Sequence, residues 1–141
     1  DEVRPTDYLA GWISHLFLCA AAPTDVSLQT TWHSRDGSYR LRPCDESTAR
    51  AHLGELIGLY RQGLSAPLHF FPKSAWAYIS GGMAAARRRW THSRNADWGE
   101  SADPAYRLAL RGVAEPLDWN FEQCAQTVFA PLLDYLEDSR R

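Results

Sequence analysis

The sequence predicts an α+β fold, mostly helical, with about five helices and one β-hairpin. Three observations predict it. Apolar side chains recur at steps of three and four over most of the chain, the mark of amphipathic helices. One segment, 26–42, alternates instead about an Asp36-Gly37 turn. Proline and glycine fall where the helical patterns begin and end. With 141 residues and 45% apolar side chains, the chain can bury a core and reads as a single domain, 1–141.

The elements follow in order. Leu9, Trp12, Ile13, Leu16 and Ala20 place a helix over 7–21, capped by Thr6 or Asp7 and stopped by Pro23. Val26, Leu28, Thr30 and Trp32 share one face of a strand over 26–32, and Tyr39 and Leu41 share one face of its partner over 38–42. Asp45, Ser47 or Thr48 caps the next helix, whose stripe is Leu53, Leu56, Ile57 and Tyr60. Gly63 ends that helix, and Leu64 fits the contact that follows a glycine C-cap. Pro67 and Pro72 make 68–71 extended, and Pro72 opens a helix with Trp76, Ile79 and Met83 on one face. Gly81-Gly82 weakens its middle, and 84–90 is helical again. Residues 93–103 read as an exposed loop. Asp103-Pro104 starts a short helix that runs to Arg111 and ends at Gly112. Asp118 caps the last helix, with Phe121, Ala125, Val128, Leu132 and Tyr135 or Leu136 as its stripe; Pro131 kinks it or splits it.

Composition removes several function classes. The formal net charge is −2, which gives no global drive toward nucleic acid. Lys73 is the only lysine among the 15 Lys and Arg residues, and Arg is the better partner for bidentate pairing. The longest apolar run, 16–23, is far too short to span a bilayer. No signal peptide pattern is visible, and the start at Asp1 without methionine suggests a fragment of something longer. The three cysteines, Cys19, Cys44 and Cys124, are widely separated, as in reduced thiols of a cytoplasmic protein. No Cys-x-x-Cys pair is present, and none of the five histidines pairs with another at a spacing of three or four, so no metal site is expected. No Gly-x-Ser-x-Gly elbow and no phosphate loop occurs.

Two blocks carry a family resemblance. The first is Gly63-Leu64, then Pro67-Leu68-His69-Phe70-Phe71-Pro72-Lys73-Ser74-Ala75-Trp76-Ala77. The second is Asp103-Pro104-Ala105-Tyr106-Arg107-Leu108-Ala109-Leu110-Arg111-Gly112-Val113, followed by Pro116-Leu117-Asp118. In this order and spacing the sequence, over roughly residues 7 to 138, resembles the carboxy-terminal region of the RecC family, the gamma chain of exodeoxyribonuclease V. The resemblance implies a bacterial, cytoplasmic role in the RecBCD helicase–nuclease of double-strand break repair and recombination, with RecB and RecD as partners. It also implies the fold of an inactivated RecB-type, PD-(D/E)XK-like nuclease domain. Tyr8, Leu9 and Trp12 look like the helix after the catalytic strands of active relatives, which makes this chain the downstream half of that domain. The family's Chi-reading channel belongs to a helicase-like part upstream of it.

Active relatives need a carboxylate, then an acidic residue and a lysine two positions on, so that both face one side of a strand around Mg²⁺. No Asp-x-Lys or Glu-x-Lys occurs here: Lys73 follows Phe71 at that spacing. The sequence therefore offers no catalytic residue, no metal ligand set and no cofactor site. Arg87, Arg88, Arg89, Trp90, Arg94 and Trp98 form the candidate contact surface for a partner or for DNA. Successive helix positions fan through about 200° over three residues, so the arginines do not converge on one spot and suit a solvated face first. Phe70-Phe71 suits a plug for a partner or the domain's own core. Trp98 is either pinned back or offered outward.

The reading is a non-catalytic assembly domain that holds RecB and RecD and borders the strand-separation site, binding duplex or split DNA weakly or not at all by itself. The alternative is a stand-alone helical interaction module of unknown partner, and an unrelated enzyme comes third.

Overall fold

A computed structural model describes residues 3–35, 37–91 and 99–139 of the chain. Five helices and three strands follow one another: α1 (Pro5–Ala21), β1 (Thr30–Ser34), β2 (Gly37–Leu41), α2 (Glu46–Ser65), α3 (Pro72–Trp90), α4 (Pro104–Ala109), α5 (Trp119–Tyr135) and β3 (Leu136–Ser139), with a 3-10 turn at Glu100–Ala102. The fold is α+β and mostly helical. The chain divides into two compact units, one made of Asp1–Gly58 with Ala130–Arg141 and one of Leu59–Phe129. No helix among the described residues is long and apolar enough to cross a membrane.

The first unit is α1 laid on a small sheet. The sheet is antiparallel in the order β1-β2-β3, with Trp32 opposite Tyr39 and Thr30 opposite Leu41. Its inner face follows from strand alternation: Tyr39 and Leu41 are buried, and Thr30 and Trp32 are half-buried. Against it α1 turns Tyr8, Trp12, Leu16 and Cys19. Tyr8 meets Trp32 and Tyr39 edge-on at 5.9 and 5.2 Å, and Trp32 stacks on Tyr39 at 5.6 Å. Trp12 is 1% exposed and packs on the Tyr135 ring at 5.5 Å.

Three details of this unit depart from the sequence pattern. α1 starts at Pro5 with Arg4 as its cap residue, and Asp7 sits one turn in, its carboxylate accepting the Arg4 N–H at 2.9 Å. The fixed φ of proline favours the first helical position, which moves the start two residues upstream. β1 begins at Thr30, not Val26, because its ladder partner runs out: β2 stops at Leu41, and Pro43 beyond it has no N–H to give. Val26 is 54% exposed. The third strand was not predicted at all. Leu136–Ser139 pairs with β2, and Glu137 lies opposite Arg40 in the register. A polar segment of this kind has little strand propensity of its own; the open edge of β2 decides it. Exposed Arg40 and Arg42 reach Glu137 at 4.0 and 3.8 Å.

The second unit is an aromatic core closed by helices. Phe71, which is 0% exposed, stands at its centre with Trp90 at 4.2 Å, Tyr106 at 5.1 Å and Phe121 at 6.0 Å. Phe129 closes one side, against Phe70 at 5.8 Å and Trp76 at 5.3 Å. Of the two readings of Phe70-Phe71, Phe71 realises the core; Phe70 is half-buried at its edge. Asp103 caps α4 by accepting the Ala105 N–H at 2.8 Å, and Asp118 caps α5 through the Phe121 N–H at 3.0 Å, both as predicted. α4 ends at Ala109, two residues short of the predicted Arg111. α5 is one helix through Pro131, which costs the bond to the Thr127 carbonyl without splitting the element.

In α2, Asp45 is the cap, accepting the Thr48 N–H at 2.9 Å. The helix passes Gly63 and stops at Ser65, where Pro67 disfavours helical geometry for the residue before it. Gly63 serves a close approach: a Cβ there would lie 3.2 Å from Leu68 Cδ1. Leu68 thereby takes the place expected of Leu64, which is 70% exposed. Ile57 and Tyr60, assigned to the apolar stripe by spacing, are 47% and 67% exposed. In α3 the break falls where expected. Gly82 has φ +74° and ψ −177°, a conformation open essentially to glycine alone.

Backbone geometry gives two predictions of opposite sign, both read from thermal and urea melting of the 141-residue chain. Ala22 closes α1 in the left-handed region, φ 41° and ψ 52°. That conformation costs a non-glycine residue about 1–2 kcal/mol, against about 0.5–1 kcal/mol of extra chain entropy for glycine. Ala22→Gly should therefore stabilise by about 0.5–1 kcal/mol. Gly82→Ala should destabilise by about 1–3 kcal/mol.

Candidate functional site

The aromatic-proline segment 66–76 is built as a joint. Pro72 opens α3, and Phe71 before it is extended, φ −126° and ψ 105°, with no side-chain oxygen to cap the helix. The first N–H groups of any helix lack intrahelical acceptors, and here that of Ser74 is buried and that of Lys73 half-buried. Glu100, 7% exposed, supplies the acceptor from across the unit. Its carboxylate takes the Lys73 N–H at 3.1 Å, the Ser74 N–H at 2.8 Å and the Ser74 hydroxyl at 2.7 Å. A negative charge at a helix N-terminus, satisfied three times over, is a stable way to bury a carboxylate. Sequence reasoning placed Glu100 in an exposed loop. Its only signal was distant: a helix start with proline and no capping side chain, which implies an acceptor elsewhere.

Lys73 is exposed on the first turn of α3 and so lies on a helix, not a strand. Arg87, Arg88 and Arg89 are exposed on the last turn of α3, where cations suit the helix dipole. Trp90 turns inward against Phe71 and Tyr106, the latter at 6.2 Å. Arg94 and Trp98 lie outside the described residues.

A groove of about 370 Å³ opens beside the joint, between the end of α2 and the start of α5, floored by Pro67 and Leu68. On its polar side His69 Nδ1 and Asp118 Oδ1 are 2.9 Å apart. Burial raises the Asp118 carboxyl, but the Phe121 N–H and His69 outweigh it, so its pKa lies below the usual carboxylate range. Trp119 on the rim is 70% exposed, and Tyr60 and Leu64, one turn apart on α2, are 67% and 70% exposed.

In the first unit His15 and Cys19 lie on one face of α1, and Cys44 joins them from the link after β2. Their ligand atoms lie within 4.8 Å of one another, the only such His, Cys and carboxylate grouping among the described residues. His15 Nδ1 is 2.9 Å from Thr30 Oγ1, and Nε2 is 2.9 Å from the Arg42 carbonyl oxygen and 3.5 Å from Cys19 Sγ. Burial lowers the His15 pKa, partly offset by the Arg42 carbonyl. Burial first, then Cys19 and Asp45, push the Cys44 thiol up to about 12. His–His and Cys–Cys spacings do not reveal this mixed i,i+4 pair; its signal in the sequence is His15-x-x-x-Cys19. All three cysteines are free.

The joint and the groove give two predictions. Glu100→Ala leaves the buried Ser74 N–H and the half-buried Lys73 N–H without their acceptor and should cost about 2–4 kcal/mol in urea unfolding. Glu100→Gln, which keeps one acceptor oxygen, should cost less. For Asp118, the folded pKa lies below the unfolded value of 3.8, so its contribution is present above about pH 4 and is lost as pH falls through the folded pKa. Asp118→Asn keeps the cap without the titration. Its melting temperature should therefore fall less steeply than the parent's below pH 4.

The model of the RecC C-terminal domain family matches residues 1–82, more than half of the chain. That span contains the first of the two sequence blocks and stops before the second. RecBCD enzyme subunit RecC of Escherichia coli (strain K12) is 35% identical over 68 residues, which cover 48% of this chain and 6% of that relative.

Proposed function

The chain belongs to the RecC C-terminal domain family, and on that footing we propose that it is a non-catalytic assembly domain of a RecBCD-type helicase–nuclease acting in DNA double-strand break repair and recombination. In this reading it holds the RecB and RecD partners and borders the place where the duplex is separated. It keeps a nuclease-like fold without the chemistry, and its setting is the bacterial cytoplasm.

The observation that carries the proposal is the fate of the first block. Its aromatic and serine groups are spent on the domain's own core and helix cap. Lys73 lies on the first turn of α3, not on a strand, and Phe71, two residues before it, is 0% exposed in the core. What remains for a partner is surface: Trp119 at the groove, Tyr60 and Leu64 on α2, and Arg87, Arg88 and Arg89 on α3. Aromatic and arginine side chains are those most enriched at interface hot spots. A net charge of −2 neutralises few phosphates, so affinity for free duplex should be weaker than about 1 μM at physiological salt.

The test uses full-length RecC-type subunit assembled with its partners. Leu64→Asp with Trp119→Ala, and separately Arg88→Glu, alter exposed groups and should leave melting of the isolated chain unchanged. At least one of them should weaken retention of RecB or RecD by about tenfold, the effect of losing one hot spot. Full retention of both partners in both variants would contradict the assembly reading. Incubation of the chain with linear DNA and Mg²⁺ should give no cleavage. Cleavage abolished by changing one acidic residue would contradict the non-catalytic reading.

A further inference from the structure

We propose that His15, Cys19 and Cys44 form a binding site for a thiophilic divalent cation, with zinc as the best fit. The inference is independent of any role in assembly.

The ligand geometry is the first support. A tetrahedral zinc ion with bonds of about 2.3 Å to sulfur and about 2.0–2.1 Å to nitrogen sets a sulfur and a nitrogen ligand roughly 3.5 Å apart. Cys19 Sγ and His15 Nε2 stand 3.5 Å apart, and all three donors fall within 4.8 Å of one another. One helical turn sets the His15–Cys19 separation. Cys44 is held by the chain between β2 and α2, which Asp45 anchors as the α2 cap.

The hydrogen bonds around His15 are the second support. Without a cation, Nε2–H donates to the Arg42 carbonyl, and Nδ1 accepts from the Thr30 hydroxyl. On binding, the imidazole proton moves to Nδ1 and is donated to Thr30 Oγ1, which frees Nε2 for the metal. A ligating histidine generally has its other ring nitrogen held by such a partner, and here Thr30 is already in place. The Arg42 carbonyl oxygen, 2.9 Å from Nε2, gives up this hydrogen bond and turns aside as the cation takes its place.

Charge balance is the third. Two thiols lose their protons to solvent as the dication enters, and the neutral imidazole keeps its single proton. The site then carries two thiolates and one dication, with no net charge. That balance matters because His15, Cys19 and Cys44 are 0%, 0% and 6% exposed, where an uncompensated charge is costly. The donor set of two sulfurs and one nitrogen suits zinc and excludes the hard, oxygen-seeking Mg²⁺ and Ca²⁺.

The experiment titrates the reduced, metal-free 141-residue chain with Co²⁺, the spectroscopic stand-in for zinc, while circular dichroism monitors folding. We expect one equivalent to bind, with a thiolate-to-cobalt charge-transfer band and the intense visible bands of a tetrahedral site, and zinc to displace it. Cys44→Ser should weaken binding at least about tenfold, Thr30→Val by about 10–100-fold through its hold on His15, and Cys124→Ser not at all. Absence of the thiolate band in the folded parent chain would overturn the proposal and leave a hydrogen-bonded thiol–imidazole knot. So would a band that persists unchanged in Cys44→Ser or disappears in Cys124→Ser.

Discussion

The buried start of α3 is the constraint on which the second unit depends. A helix that begins in a core with Phe-Pro has two pressing needs: a place for the phenyl ring and an acceptor for its first N–H groups. The Phe71 stack meets the first and Glu100 the second. Each supports the other. The stack excludes water from the helix end, which strengthens the hydrogen bonds to the carboxylate, and the carboxylate fixes the helix end that aims Phe71. Glu100 is 26 residues from Ser74, so this one group ties the 3-10 turn and the α4 region to the helix. Trp90 returns to the same ring after the break at Gly81-Gly82, which brings the second half of α3 back to the core its first half started from.

That arrangement explains what the sequence made legible and what it did not. Features written locally could be read. Asp103 and Asp118 cap the helices they precede, Pro72 opens α3, and the paired glycines break it, because each depends on a few neighbouring residues. The strand face of Tyr39 and Leu41 follows from alternation alone. Features that depend on distant partners could not be read. Glu100 looked like any acidic loop residue, and Leu136–Ser139 became a strand only because β2 offered an open edge. Ile57 and Tyr60 kept helical spacing yet stayed exposed, since periodicity shows which residues share a face and not what covers it. The six candidate contact residues divided in the same way: three arginines are on the surface, Trp90 serves the core, and Arg94 and Trp98 fall outside the described residues.

The proposed function is a matter of surfaces carried by a satisfied interior. The first unit makes the same point with different chemistry. Tyr8, Trp12 and the sheet form its apolar body, and one polar cluster is buried beside them with every His15 nitrogen engaged. A thiol–imidazole set of that kind costs little when hydrogen-bonded and gains much if a cation replaces the protons. The proposed role directs attention to partner subunits; the chain's own physics directs it to the exposed rim of the groove and to the arginines of α3.

The central claim is that Phe71 belongs to the interior of this chain and Phe70 only flanks it. Equilibrium unfolding of Phe71→Ala beside Phe70→Ala tests it most directly. Removing a fully buried phenyl ring costs about 3–5 kcal/mol. The account predicts a loss of that size for Phe71→Ala and a clearly smaller one for Phe70→Ala. Equal losses, or a Phe71→Ala chain that unfolds like the parent, would contradict it.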